Sequence, residues 1–383
     1  MKLFPNNTNG LYDYSMEKLC LLWLCSLKGF NGRLGAKLLD VYGDSVRVYE
    51  ADYPSLKQIL TEHALEAFIR AKDDWPLDLL LDKLISSGTQ FVCYYDKNFP
   101  SKLKNIPDYP LGIFYKGTLP SDNKISVAVI GARECSSYGQ YVARDIGAYL
   151  GQMGVQVISG MARGIDSISQ SAALNEGGIS FGVLGSGPDI CYPPSNINLY
   201  HELIQKGGIL SPYPPGEKAV AFNFPPRNRI VSGLADAVIV VEARQKSGTI
   251  ITVDMALEQG RDVYAVPGRI TDRLSDGCNG LIGQGANVFL SPEIFMTEIA
   301  DKLGAGKTGK LHRSFDGVSK DKKMPKDQLA IYNLLDLSPK DAEEICELLP
   351  EGYDYSRVLM ILMQLVIDGH ATQINQNYFI RRD

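Results

Sequence analysis

Three glycine-bearing runs each follow a short apolar stretch: Gly131-Ala132-Arg133 after Val127–Ile130, Ser159-Gly160 after Val155–Ile158, and Gly185-Ser186-Gly187 after Ser180–Leu184. Glycine at such places lets the main chain turn sharply and come close to a ligand. Amides left free at a turn or at a following helix start favour an anion. Arg133 adds a guanidinium fork, which suits a phosphate or a base edge. The first run is not a dinucleotide fingerprint, because Arg133 and Ser136 stand where the second and third glycines of G-x-G-x-x-G belong. A side chain at the second position obstructs a pyrophosphate, so no NAD-type cofactor is expected, and nothing else in the sequence asks for one.

A second anion cradle reads from Lys246-Ser247-Gly248-Thr249, which opens a helix near Ile250. Ser247 or Thr249 is also placed to cap that helix, a role compatible with holding a phosphate. The segment from Phe222 to Arg229 joins Phe222, Phe224, Arg227, Asn228 and Arg229. Rings and guanidinium ions together suit unpaired bases and their backbone. The competing reading has the two arginines neutralising Asp236 or Glu242. Arg163 and Asp166, three apart at a helix start, offer either a basic contact or an internal pair. None of the four histidines falls in a glycine run, and no Ser-His-Asp or Cys-His arrangement emerges. The seven cysteines form no C-x-x-C and read as free thiols that are buried or half-buried. No catalytic residue and no metal site is expected.

The elements that must carry these loops alternate strand and helix between about Lys124 and Pro292. Continuous apolar strands between helices indicate a parallel sheet covered on both faces. The expected fold is α/β, a Rossmann-like doubly wound, mostly parallel sheet with a helical N-terminal domain and a small winged-helix C-terminal domain. The domain reading is 1–75 helical, 76–123 bridging, 124–300 Rossmann-like, 301–327 a basic linker and 328–383 winged. In the first domain a glycine turn, Lys28–Gly35, joins two short helices in the manner of helix-hairpin-helix or sterile-alpha-motif units. Its amides either hold a nucleic-acid phosphate or simply end helices. In the bridge, Phe91–Tyr95 reads as a strand, and four prolines break the remainder into turns. The winged segment carries four Lys/Arg against nine Asp/Glu, so a protein-docking or structural role is expected there rather than duplex binding.

The formal charge is −5, so any nucleic-acid site must be a local patch rather than a global field. No apolar stretch reaches the length of a membrane span, and the start turns polar at Asn6, which does not read as a secretory signal. A cytoplasmic protein is expected.

The residues from Lys124 to Pro292 resemble the DprA (Smf) family of DNA-processing proteins of natural transformation. The matching segments include Val129–Arg133 with Ser136, Tyr138 and Gly139, Ser159–Asp166, and Gly185–Gly187 with Tyr192-Pro193 and Asn196. They continue with Phe224–Leu234, Val240–Ala243 with Lys246–Thr249, Val266–Gly268 and Asn279–Ile282. The resemblance implies a non-enzymatic, commonly dimeric binder of single-stranded DNA that delivers RecA onto incoming strands and displaces single-strand-binding protein. It implies a phosphate contact at Arg133. Gly131, Ser136, Tyr138, Ser159, Gly160 and Arg163 on one side, with Arg227, Asn228, Arg229, Lys246, Ser247, Gly248 and Thr249 on the other, complete the nucleic-acid-binding set. Lys218, Arg227 and Lys246 are candidates for a second basic contact. Two positions depart from the family pattern: Gln170 replaces a frequent histidine, and Pro212 replaces a glutamate in Ser-Glu-Tyr-Pro-Pro-Gly. The rival readings are a nucleotide phosphoribohydrolase of the lysine-decarboxylase-like group and a nucleotide-sensing or structural module. The first needs a glutamate where Thr252 stands, and threonine cannot act as that base.

Overall fold

The computed structural model describes residues 14–303, 325–336, 339–350, 352–375 and 377–381, so most of the basic linker lies outside the described residues. The helical part is built around α1 (Met16–Ser26), whose residues Leu19 to Cys25 are all buried. A helix apolar on every side must be central. Around it lie α2 (Gly35–Tyr42), α3 (Ser45–Glu50), α4 (Tyr53–Lys57), α5 (Glu62–Asp74) and α6 (Leu77–Ser87). Trp23 meets Phe68 edge-on at 4.8 Å, and its indole N–H donates to the carbonyl of Ala71. Leu80, Leu81 and Leu84 of α6 share this core with Phe91 and Phe114, so it reaches past residue 75 into the stretch read as a bridge.

That stretch does more than connect. After β1 (Gln90–Cys93) and α7 (Ser101–Lys104) comes β2 (Gly112–Gly117), in a region where the prolines predicted turns. The two strands pair antiparallel and join the main sheet through β6. The rest of the sheet is parallel: β3 (Ser126–Ile130), β4 (Gln156–Ser159), β5 (Ile179–Val183), β6 (Gly208–Ser211), β7 (Ala237–Val240), β8 (Asp262–Ala265) and β9 (Asn287–Val288). The order is β1-β2-β6-β5-β4-β3-β7-β8-β9. The crossover helices are α8 (Ser137–Gln152), α9 (Ile165–Asn175), α10 (Ile197–Lys206), α11 (Phe224–Gly233), α12 (Gly248–Glu258) and α13 (Asp276–Gly283), with α14 (Pro292–Leu303) last. From β3 the chain winds to one side as far as β6, then returns to place β7 on the other side, with Ile130 opposite Val240. The sheet is therefore doubly wound, with its switch point between β3 and β7, where such folds open a crevice. One apolar cluster covers each face.

A second compact unit, within His312–Asp383, holds α15 (Lys326–Leu334), α16 (Ala342–Glu347) and α17 (Tyr355–Ile367). Its strands β10 (Lys340–Asp341), β11 (Ala371–Asn375) and β12 (Tyr378–Arg381) pair antiparallel in the order β10-β12-β11. Ile331, Ile345, Val358, Leu362 and Phe379 form its own core.

Candidate nucleic-acid interface

At the switch point a cleft of about 790 Å³ opens over the carboxyl ends of β3, β4 and β7. Its walls are Gly131–Glu134, Gly160 with Ala162 and Arg163, the first turns of α11, Ala243-Arg244, and Ser247-Gly248-Thr249 at the start of α12. A smaller hollow of about 340 Å³ continues from it past Tyr192 and Phe224. The lining carries Arg133, Arg163, Arg227 and Arg244 against Glu134 and Asp166. A neutral-to-acidic chain thus concentrates positive charge where the sheet ends.

The four arginines are not equivalent. Arg227 is only 5 % exposed. Its Nη1 donates to the carbonyls of Gly160, at 2.8 Å, and of Val183, and its Nε donates to Asn228 at 3.0 Å. Asp166, on the other side of Gly160, accepts from the amides of Gly160 (3.0 Å) and Ala162 (3.4 Å). The Gly160 peptide is thereby gripped at both ends, and a β-carbon there would meet both side chains. Burial lowers the Arg227 pKa to about 10, against the opposing pull of Asp166, so the guanidinium stays charged at neutral pH. Burial pushes the Asp166 carboxyl up, while the Arg227 charge and the two amides hold it down. Asp166 does not pair with Arg163, which is exposed in the cleft. Nor do Arg227 and Arg229 neutralise Asp236 or Glu242. Asp236 takes Lys102 at 2.6 Å, and Glu242 takes Ser136.

Arg133 is the opposite case. It is exposed, borders both hollows, and has its guanidinium 5.6 Å from the centre of the Phe224 ring. Across the cleft α12 begins. Ser247 is its N-cap by backbone geometry, but the side chain makes no capping bond. Gly248 has nothing within 4 Å of where a β-carbon would sit. Thr249 donates to the carbonyl of Gly131 at 3.3 Å, tying the two walls together. Free amides and a helix dipole face an arginine fork, the arrangement that favours a phosphodiester or similar anion.

Several expected contacts lie elsewhere. The Ser159 hydroxyl is fully buried and donates to Val129. Ser136 caps α8 and bonds Glu242. Tyr138 donates to the carbonyl of Pro267. Arg229 leaves the cleft altogether, pairing with Asp108 at 3.1 Å and with the carbonyl of Asn31. The same Asp108 accepts from the amide of Arg33, so the glycine turn, read as either a phosphate holder or a helix end, is engaged by a carboxylate of the chain itself. Lys246 and Lys218 are exposed but do not line the cleft. The further basic residue there is Arg244, to which no motif pointed. Glycines 131, 160 and 185 also serve the protein more than a ligand. Their α-carbons abut Ile165, the Asp166–Arg227 grip and the Phe224 ring. Gln170 is buried between α9 and β5, donating to Ser180 and Phe181, and does not line the cleft.

Fold and cleft together define a doubly wound α/β protein with an arginine-lined cleft at its switch point. Residues 90–300 match the model of the DNA recombination-mediator protein A family. The chain is 42% identical over 203 residues to the DNA processing protein DprA of Streptococcus pneumoniae, covering 53% of this chain and 72% of that protein. The X-ray structure of the S. pneumoniae protein superposes with a TM-score of 0.64 at 34% identity, over 74% of this chain and 98% of that one. The DNA processing protein A of Helicobacter pylori, whose structure describes a single-stranded-DNA binding mode, gives a TM-score of 0.51 at 27% identity over 56% of this chain and 98% of its own. The chain belongs to the DNA recombination-mediator protein A family.

Proposed function

We propose that the switch-point cleft holds the sugar-phosphate backbone of single-stranded DNA, and that the protein acts without catalysis as a recombination mediator. In this reading it works in the cytoplasm as a homodimer, helps load RecA onto incoming strands and displaces single-strand-binding protein. The observation that carries the reading is Arg133, exposed and without an ion-pair partner among the described residues, facing the open N-terminus of α12. The H. pylori relative's single-stranded-DNA binding supports the choice of anion. Among the described residues no helix is long and apolar enough to cross a membrane, and no three His, Cys, Asp or Glu gather to hold a metal.

The test is a mobility shift with oligo-dT. Wild-type protein binds with an affinity that falls steeply with salt, as phosphate neutralisation requires. Arg133→Ala loses on the order of 1–3 kcal/mol, the range of a charge-assisted contact. Equal binding by that variant removes the arginine from the site. The phosphoribohydrolase alternative is weakened by Thr252, which is buried and directed at the carbonyl of Gly248. Pure protein incubated with nucleoside monophosphates is expected to release no base.

A further inference from the structure

Glu242 follows β7 at the switch point and is wholly buried. Among the described residues its carboxylate has no lysine or arginine within ion-pair distance. Burying such a charge is costly unless hydrogen bonds and local dipoles offset it. Both its oxygens are turned to the N-terminus of α8. The Ser136 amide donates to Oε2 at 2.9 Å, and the Ser136 hydroxyl donates to Oε1. Gly139, one turn on, lies so close that a β-carbon would come within 2.3 Å of Oε2. The carboxylate thus backs the N-cap of α8, held by the amide and hydroxyl of Ser136 and favoured by the dipole of a 16-residue helix.

What it anchors, through Ser136, is the end of the loop from Gly131 to Ser136, which carries Arg133. The upstream half of that loop is fixed separately. Thr249 holds the carbonyl of Gly131 at 3.3 Å, and the amide of Ile165 donates to the carbonyl of Ala132 at 3.2 Å. Gly164, at φ +76°, leaves room for the carbonyls of Ala132 and Arg133, which would stand 2.3 and 2.6 Å from a β-carbon. Glu242 secures the downstream half, so the main chain of Arg133 is fixed on both sides while its side chain is free in the cleft.

We infer that Glu242 is a positioning residue for Arg133, setting the affinity for the unpaired strand without touching it. The inference rests on the reading of the cleft as the strand's site. Its test is a double-mutant cycle, which separates coupling from general damage. Glu242→Ala is expected to weaken oligo-dT binding about tenfold in the wild-type chain but less than about twofold in an Arg133→Ala background. Glu242→Gln keeps an oxygen for the Ser136 amide and is expected to recover most of the affinity. Hydrogen exchange in Glu242→Ala should quicken at the amides of Ala132 to Ser136 and stay unchanged in β4 and β5. If Glu242→Ala does not fold, Ser136→Ala carries the same cycle, since it removes the hydroxyl that Glu242 receives. Equal losses in the two backgrounds overturn the positioning role while leaving the cleft reading intact. An Arg133→Ala chain that binds like wild type overturns both.

Discussion

Arg133 and Arg227 lie 5.6 and 5.5 Å from the centre of the same Phe224 ring and answer to different observables. Removing Arg227 leaves the carbonyls of Gly160 and Val183 without their donor and the buried Asp166 without its opposing charge. Leaving a buried polar group without its hydrogen-bond partner costs about 1–3 kcal/mol for each group. Arg227→Met is therefore expected to lower the urea midpoint of unfolding sharply, and Arg133→Ala to leave it unchanged. Arg227→Met that unfolds like wild type would show the grip on Gly160 to be dispensable. The sequence announces both arginines as basic groups beside glycine loops. It cannot separate them, because the acceptors of Arg227 are carbonyls at the ends of two strands distant in sequence. Arg244 goes unread for a related reason: its place in the cleft comes from the turn between β7 and α12, not from a local pattern. The hydroxyl of Ser159 is committed to the carbonyl of Val129 on the neighbouring strand, a contact that no local pattern shows. The thiols are legible in kind but not in degree. Burial raises Cys20, Cys93 and Cys278 to about 12 and lifts Cys25 well above its usual value. The thiolate is the reactive form, so at pH 8 these four should resist iodoacetamide in the native protein. Labelling is expected only at the half-buried Cys135, Cys191 and Cys346, with the others reacting after denaturation, as peptide mass mapping would show.

At the scale of elements, the parallel strands that precede the glycine runs are readable as short apolar stretches, and β3, β4 and β5 fall within a residue or two of expectation. β2 and β6 are not, for a shared physical reason. Each is short, bracketed by glycine and proline, and becomes a strand only because an edge needs pairing: β2 lies antiparallel to both β1 and β6. α11 is hidden by Pro225-Pro226, which read as breakers yet sit in its first turn, where proline's missing N–H costs nothing. Two glycines test what the elements ask of their first residues. Gly164, just before α9, has φ +76° and no room for a methyl group, so Gly164→Ala should destabilise the fold by more than about 1–2 kcal/mol, the left-handed penalty alone. Gly248, the first residue of α12, has open space. Gly248→Ala should stabilise by about 0.4–1 kcal/mol through the unfolded chain. The same methyl group would stand where a phosphate approaches, so oligo-dT affinity should fall while the melting temperature rises. A variant that gained stability and kept its affinity would place the strand away from α12.

For the whole molecule, charge is divided unevenly along the chain. The four Lys/Arg and nine Asp/Glu of residues 328–383 account for the entire net charge of −5, so residues 1–327 are neutral. The acidic segment has its own core and its own sheet. Its effect on a polyanion is repulsion, which acts over roughly 10 Å at 0.1 M salt and about 3 Å at 1 M. A chain ending at Asp327 is expected to bind oligo-dT as well as the full chain, or up to about threefold more tightly in low salt, with the difference vanishing as salt screens it. Fluorescence anisotropy across a salt series measures both. Weaker binding by the shortened chain would mean that residues 328–383 contact the strand despite their charge.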